Sequence, residues 1–174
     1  IFDMINVYCE QLNDHLVIKH DVPIPVYIFE KNNVNCQEDK TKDGIHMIIG
    51  IHILRTLQMI IRENVVSEIP SIWDDLPLIN NWSDVLDEGV SKGTTNWQLY
   101  GSKKPGNEAY KLKYVLELKY DSKEDGWTMK EENLSNFDIV KNFKQLSVRY
   151  SGHHHFELTD HAKELCDRHK SNKK

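Results

Sequence analysis

Three short clusters in this sequence combine residue types able to hold a phosphate or a metal ion. The first is Lys42-Asp43-Gly44-Ile45-His46. A histidine on the open face of a strand, entered through a glycine that lets a ligand approach the backbone, could donate to a phosphate oxygen. A strand histidine hydrogen-bonded in a polar layer has the same signature. The second cluster is Val85-Leu86-Asp87-Glu88-Gly89-Val90, in which a carboxylate placed after two apolar residues at a strand end suits one ligand of a magnesium ion. Taken alone, Asp87 is more often a turn residue. Two-metal phosphoryl transfer needs ions about 3.5–4 Å apart, bridged by further acids, and no Asp-x-Asp lies on a hydrophobic strand here.

The third cluster is Asn96-Trp97-Gln98-Leu99-Tyr100-Gly101-Ser102-Lys103-Lys104-Pro105-Gly106, followed by Tyr110-Lys111-Leu112. A strand running into Gly-Ser-Lys-Lys presents amides, a hydroxyl and two ammonium groups at one turn, a cradle for a triphosphate or a nucleic-acid backbone. It lacks the GxxxxGK[ST] spacing of a Walker loop, and a solvated basic turn is the plain alternative. Trp97, Tyr100 and Tyr110 lie on strand patterns and read as core residues before base-stacking platforms. A fourth group, His153-His154-His155 with His161, Cys166 and His169, matches no common zinc spacing and reads as a polar linker and a surface helix.

Periodicity supplies the elements that must position these residues. Ile1, Ile5, Tyr8 and Leu12 predict an amphipathic helix over 1–16, Val26–Glu30 a short strand, and Lys31–Lys42 a loop. In 44–50, Ile45, Met47 and Ile49 share one face, leaving His46 on the other beside Gly44 and Ile48, a sheet surface with little bulk. Leu54, Leu57, Ile61 and Val65 mark a helix over 51–67, with Arg55, Gln58, Arg62 and Glu63 outside its apolar face and Pro70 ending it. A loop-rich stretch follows to Asn96, then a strand at 97–100. Leu112, Tyr114, Leu116, Leu118 and Tyr120 alternate with Lys111, Lys113, Val115, Glu117 and Lys119, a half-buried strand with a basic outer face. Asp125-Gly126 turns it into a hairpin, Ser135 with Asp138 caps a helix to about 146, and Thr159 opens a last helix ending in the basic tail 170–174. The order describes a mixed α+β chain without regular βαβ alternation.

Composition narrows the classes further. The 174 residues carry 22 Lys+Arg against 27 Asp+Glu, a net charge of −5, so any polyanion site must be a local patch. No apolar run approaches the roughly 20 residues of a membrane span. Three scattered cysteines, Cys9, Cys36 and Cys166, contain no CxxC pair and read as ordinary thiols of a reducing compartment.

Taken in order, the first three clusters resemble the later motifs of the archaeo-eukaryotic primase superfamily, and most closely the primase part of the poxvirus-type helicase-primases of large nucleocytoplasmic DNA viruses. Lys42-Asp43-Gly44-Ile45-His46 resembles the second motif (a small residue, any residue, then His), with Gly44 where many relatives have Ser. Leu86-Asp87-Glu88-Gly89-Val90 resembles the third, an acid ending an apolar strand, and 96–105 the basic nucleotide-binding turn. Leu146-Ser147-Val148-Arg149 is similar to a segment near the end of the viral domain. The resemblance covers about residues 1–150 as a primase-type catalytic domain with an antiparallel or mixed sheet of the RRM-like palm type, leaving 151–174 as linker and basic C-terminal helix.

The resemblance implies template-directed nucleotidyl transfer that makes primers on single-stranded DNA, with Mg²⁺ or Mn²⁺ as cofactor. Asp87 would ligate metal, and His46 would contact the phosphates of the incoming nucleotide. Ser102, Lys103 and Lys104 would hold its triphosphate, and Lys111 and Lys113, with Lys119, would face nucleic acid. Implied partners are template DNA, nucleoside triphosphates and a helicase domain or subunit, at a viral replication site in the host cytoplasm, with no membrane. Gln98 stands where primase-polymerases outside the viral branch commonly have Arg. The acid pair of the first motif is not found and is expected upstream of Ile1, so the chain is expected to be a fragment, a split-gene product or a degenerate copy. On its own it should polymerise little or nothing; a catalytically inert nucleic-acid-binding or scaffolding remnant is the alternative.

Overall fold

The computed structural model describes residues 1–33, 35–36, 41–42, 44–76, 78–95 and 97–171, with the side chains of 35, 36, 41 and 42 left out. Asp43, Asn96, residues 172–174 and the Cys36 and Lys42 side chains, all named above, therefore lie outside the described residues. The fold is α+β and divides into two units. One comprises 1–18, 52–96 and 155–174; the other comprises 19–51 and 97–154.

The first unit is helical. α1 (Phe2–His15) buries Met4, Ile5, Val7, Cys9 and Leu12, and α2 (Arg55–Ile72) buries Leu57, Ile61, Val65 and Ile69, the i, i+4 stripe the sequence predicts. Between them Gln11 is buried, its amide donating to Glu68 (2.8 Å) and accepting from Asn64 (2.6 Å). Pro70 sits inside α2 instead of ending it. A proline gives up its own bond to the carbonyl four residues back and its ring crowds that carbonyl, yet the Trp73 N–H still closes on the Ile69 carbonyl at 3.0 Å. Two single-turn helices follow, α3 (Trp82–Val85) and α4 (Glu88–Ser91). The last long helix in the chain, α6 (Asp160–Ser171), is capped by Thr159, whose hydroxyl accepts from the Ala162 N–H, and buries Ala162 and Cys166. Cys9 and Cys166 are free thiols, and burial pushes both above the usual thiol range.

The second unit is built on a four-stranded antiparallel sheet in the order β4-β1-β6-β7: β1 (Ile24–Glu30), β4 (Ile45–Ile49), β6 (Lys111–Asp121) and β7 (Gly126–Glu132). Two two-residue strands, β2 (Asn35–Cys36) and β3 (Thr41–Lys42), pair with each other within the β1–β4 connection, and β5 (Ile51–His52) pairs with β8 (His154–His155). The turn before Gly126 places Asp125 at φ 49, which aspartate tolerates. Asp138 caps α5 (Ile139–Asn142), which runs on as a 3₁₀ turn to Leu146.

The register along β6 departs from simple alternation. Ile28 stands opposite Tyr114 but Phe29 stands opposite Leu112, so Lys113 is a bulge. The bulge puts Leu112 and Val115 on one face, where they join Tyr27, Phe29, Ile48 and Leu146 in a buried cluster. Tyr114, Leu116 and Leu118 turn to the other face. The lysines consequently do not form one basic face: Lys111 and Lys119 lie on opposite sides, and Lys119 is paired with Asp21 (3.4 Å) and Glu117 (3.6 Å). The expected strand at 97–100 is also absent. That segment is irregular, and Trp97 and Tyr100 pack against the buried cluster instead of pairing in the sheet.

Candidate nucleotide-binding site

β4 lies at the sheet edge, and its pairing with β1 sets Phe29 directly across from His46 and Tyr27 across from Ile48. His46 thus points to the same face as the buried cluster, and its surroundings are crowded rather than open. The Tyr110 ring stacks on the imidazole at 3.7 Å between centroids, nearly parallel, and the Trp97 ring lies at 4.6 Å. Gly44 explains the fit. A Cβ there would come within 3.2 Å of Tyr110 Cζ and nearer still to its hydroxyl, so glycine leaves the notch that the tyrosine fills. Lys31 Nζ stands over the Tyr110 ring, 5.2 Å from its centroid, a cation–π arrangement.

The cavity between His46, Trp97, Gln98, Tyr100, Ser102 and Tyr110 has a volume of about 10 Å³, room for one water. Burial, and then the charges of Lys31 and Lys104, lower the His46 pKa to about 4. Near neutral pH the ring is uncharged, with one N–H to offer and the local positive charge on the lysines.

The basic turn forms the rim. Gly101 and Gly106 take φ of 81° and 72°, conformations that glycine enters without strain. The Ser102 hydroxyl donates to the Leu99 carbonyl at 2.6 Å, and the Asn107 N–H donates to the Lys104 carbonyl at 3.0 Å. Ser102, Lys103 and Lys104 are exposed. The structure thus brings His46 and Ser102 to one pocket, with Lys31 and Lys104 near enough to act on the imidazole. Lys111 and Lys113 are exposed on β6, Lys111 opposite Glu30 in the register.

Asp87 belongs to the helical unit. It does not end a strand: it is the N-cap of α4, and its Oδ1 accepts from the Gly89 N–H at 2.8 Å. The following Glu88 pairs with Lys92 at 2.7 Å. What fixes this loop is Arg62, assigned above to the outside of α2 but in fact 8% exposed. Its guanidinium donates to the carbonyls of Ser83 (2.9 Å) and, through two nitrogens, of Leu86 (2.8 and 2.5 Å), the residue just before Asp87. Among the described residues no group of three His, Cys, Asp or Glu side chains is placed to hold a metal ion. Asp87, with Oδ1 engaged by the Gly89 N–H, is a single carboxylate that could be offered to Mg²⁺ or Mn²⁺, ions held by one or two carboxylates together with phosphate and water oxygens.

Sequence reasoning missed Lys31 and Arg62. Lys31 follows directly on β1, so its place beside His46 needs only the register of β1 on β4. Arg62 gave no signal, because its partners are carbonyls 21 and 24 residues away.

No helix among the described residues is long and apolar enough to cross a membrane. Residues 1–116 match the family described as the C962R protein N-terminal AEP domain, AEP standing for archaeo-eukaryotic primase. The chain is also 30% identical over 110 residues to "Putative helicase L207/L206" of Acanthamoeba polyphaga mimivirus, a stretch that covers 62% of this chain and 11% of that much longer protein. With two thirds of its length inside the family match, the chain belongs to the C962R-type archaeo-eukaryotic primase domain family.

Proposed function

We propose that this chain supplies the nucleotide-holding part of a viral-type DNA primase, acting in template-directed primer synthesis on single-stranded DNA beside a helicase. Family membership supports the reaction class, and the helicase named in the mimivirus relative supports the partner. The observation that carries the reading in this chain is the pocket shared by His46 and Ser102 on a four-stranded antiparallel sheet, with the charges of Lys31 and Lys104 acting on the imidazole.

The triphosphate engages at the rim, where Lys103 and Lys104 are exposed and Ser102 can trade its Leu99 bond for a phosphate oxygen. Tyr110 then leaves the His46 face, and the neutral imidazole donates its N–H to a phosphate oxygen. Lys111 and Lys113 meet the backbone of the single strand as separate point charges. Asp87 acts in this chain as the cap that orders its loop. The isolated chain binds nucleotide and polymerises little or nothing. The test is equilibrium binding of a labelled nucleoside triphosphate to wild type, His46→Ala and Lys104→Ala. Binding weakened in both variants supports the reading; wild-type binding that neither variant changes refutes it, and primer extension by the isolated chain refutes the claim of inactivity.

A further inference from the structure

We propose that a second cavity, on the same sheet face as the His46 pocket, holds a nucleobase with its ring against Phe137 and its exocyclic amine donating to the Glu132 carboxylate. The sheet register builds this cavity. Tyr27 stands opposite Val115, which stands opposite Glu132, so the three side chains form one row across β1, β6 and β7 on the face of the buried cluster. The next row on that face is Pro25, Glu117 and Lys130. Phe137, with Asn142 and Gln145 from α5 and its 3₁₀ extension, closes a space of about 260 Å³. That suits one small planar ring system, since drug-sized ligands occupy roughly 300–1,000 Å³. Phe29, two residues along β1 from Tyr27, lines the His46 pocket, so the two cavities are neighbours on one strand.

The walls select the ligand. The Phe137 and Tyr27 rings lie 6.0 Å apart, tilted by 54°, and Phe137 is only partly buried, which leaves aromatic surface for the π-face that every base carries. The Tyr27 hydroxyl donates to Gln145 Oε1 at 2.6 Å, the Gln145 amide to Asn142 Oδ1 at 3.0 Å, and the Asn142 amide to the Asp138 carbonyl at 2.9 Å. This relay fixes one wall in advance, so little ordering remains to be done on binding. Burial, then the charges of Glu132 and Tyr150, push the Tyr27 hydroxyl up to about 12, so it stays a neutral donor. Of the two carboxylates lining the cavity, Glu117 lies 3.6 Å from Lys119 and faces Lys130 in the register, whereas Glu132 ends β7 opposite Val115. An ionised Glu132 only accepts. It therefore matches a base that presents an amine, as cytosine and adenine do, over one with a carbonyl at the same place. The base of a nucleotide and an unpaired base of a single strand share this chemistry.

The inference goes beyond the triphosphate reading and is tested apart from it, with ligands that carry no phosphate. The experiment is chemical-shift mapping of the full 174-residue chain titrated with cytidine against uridine, and adenosine against inosine. The expected result is saturable shifts at Tyr27, Phe137 and Gln145, with uridine and inosine roughly tenfold weaker because a carbonyl meets the carboxylate. Glu132→Gln, a change at an exposed side chain, should erase that preference, since a glutamine amide pairs with either edge. Phe137→Leu should weaken all four nucleosides roughly tenfold through lost stacking. Displacement of cytidine by dCTP assigns the cavity to the base of a nucleotide, and displacement by oligodeoxycytidylate but not dCTP assigns it to the single strand; either supports the inference. Nucleosides that leave Tyr27, Phe137 and Gln145 unshifted while a triphosphate still shifts His46 overturn it and leave the triphosphate reading standing. No shift by nucleosides or triphosphate, in a sample whose amide spectrum shows it folded, overturns both. Equal binding of cytidine and uridine to wild type, or a preference that survives Glu132→Gln, also overturns the inference.

Discussion

The covering of His46 by Tyr110 and Trp97 predicts how the ring titrates and how fold stability follows pH. Its pKa is lowered from 6.5 to about 4, first by burial and then by the charges of Lys31 and Lys104. Between those values the unfolded chain takes up a proton that the folded ring refuses. Stability therefore falls as pH drops from about 6.5 to about 4 and levels off below. At 1.36 kcal/mol per pKa unit the depression corresponds to at most ~3 kcal/mol. The ring is only half-buried, so solvent screening reduces this to on the order of 1–2 kcal/mol. The assay is a ¹H–¹³C NMR titration of the nine histidines, with His46 assigned by its loss in His46→Gln. Tyr110→Ala should move the midpoint furthest toward 6.5, because burial is the larger cause, and Lys31→Gln should move it less. A wild-type His46 midpoint between 6 and 7, or a larger effect from Lys31→Gln than from Tyr110→Ala, would refute the reasoning.

Gly44→Ala should push Tyr110 off the imidazole and destabilise the fold by roughly 1–3 kcal/mol, the usual cost of overpacking, read from urea unfolding together with tyrosine near-UV dichroism. Arg62→Met should cost roughly 2–3 kcal/mol in thermal unfolding, because a buried cation that binds two carbonyls is lost and the carbonyls stay behind. Asp87→Ala should cost about 1 kcal/mol as a lost helix cap, with Asp87→Asn close to wild type because the amide oxygen still accepts; an Asn variant as unstable as the Ala variant would disprove the cap. Lys119→Ala should change stability by less than about 1 kcal/mol, since its two partners are solvent-exposed ion pairs, and the small change should vanish at high salt.

The helices and strands that carry the site were largely legible, because α1, β4 and β6 each show a helical or alternating period in the sequence and Asp125-Gly126 marks the turn from β6 into β7. The failures have local causes. Trp97, Leu99 and Tyr100 show a strand-like density of large apolar residues, but the Trp97 and Tyr100 rings pack against the buried cluster and the segment makes no strand pairing. The single bulged residue Lys113 exchanged the faces of everything before it in β6, and no composition rule announces a bulge of this kind. Gly44 was read as room for a ligand, whereas the space belongs to Tyr110, sixty-six residues on. Asp87 was legible as a turn residue, but nothing in its neighbours announced the single-turn helix that it caps.

The most direct test of the central claim is amide chemical-shift mapping of the 174-residue chain titrated with a nucleoside triphosphate. The account predicts saturable shifts centred on Phe29, Lys31, His46, Trp97, Ser102, Lys104 and Tyr110, with the Trp97 and Tyr110 signals moving most as the stack over His46 opens. Saturable shifts that leave these seven residues still and gather on another surface would contradict it.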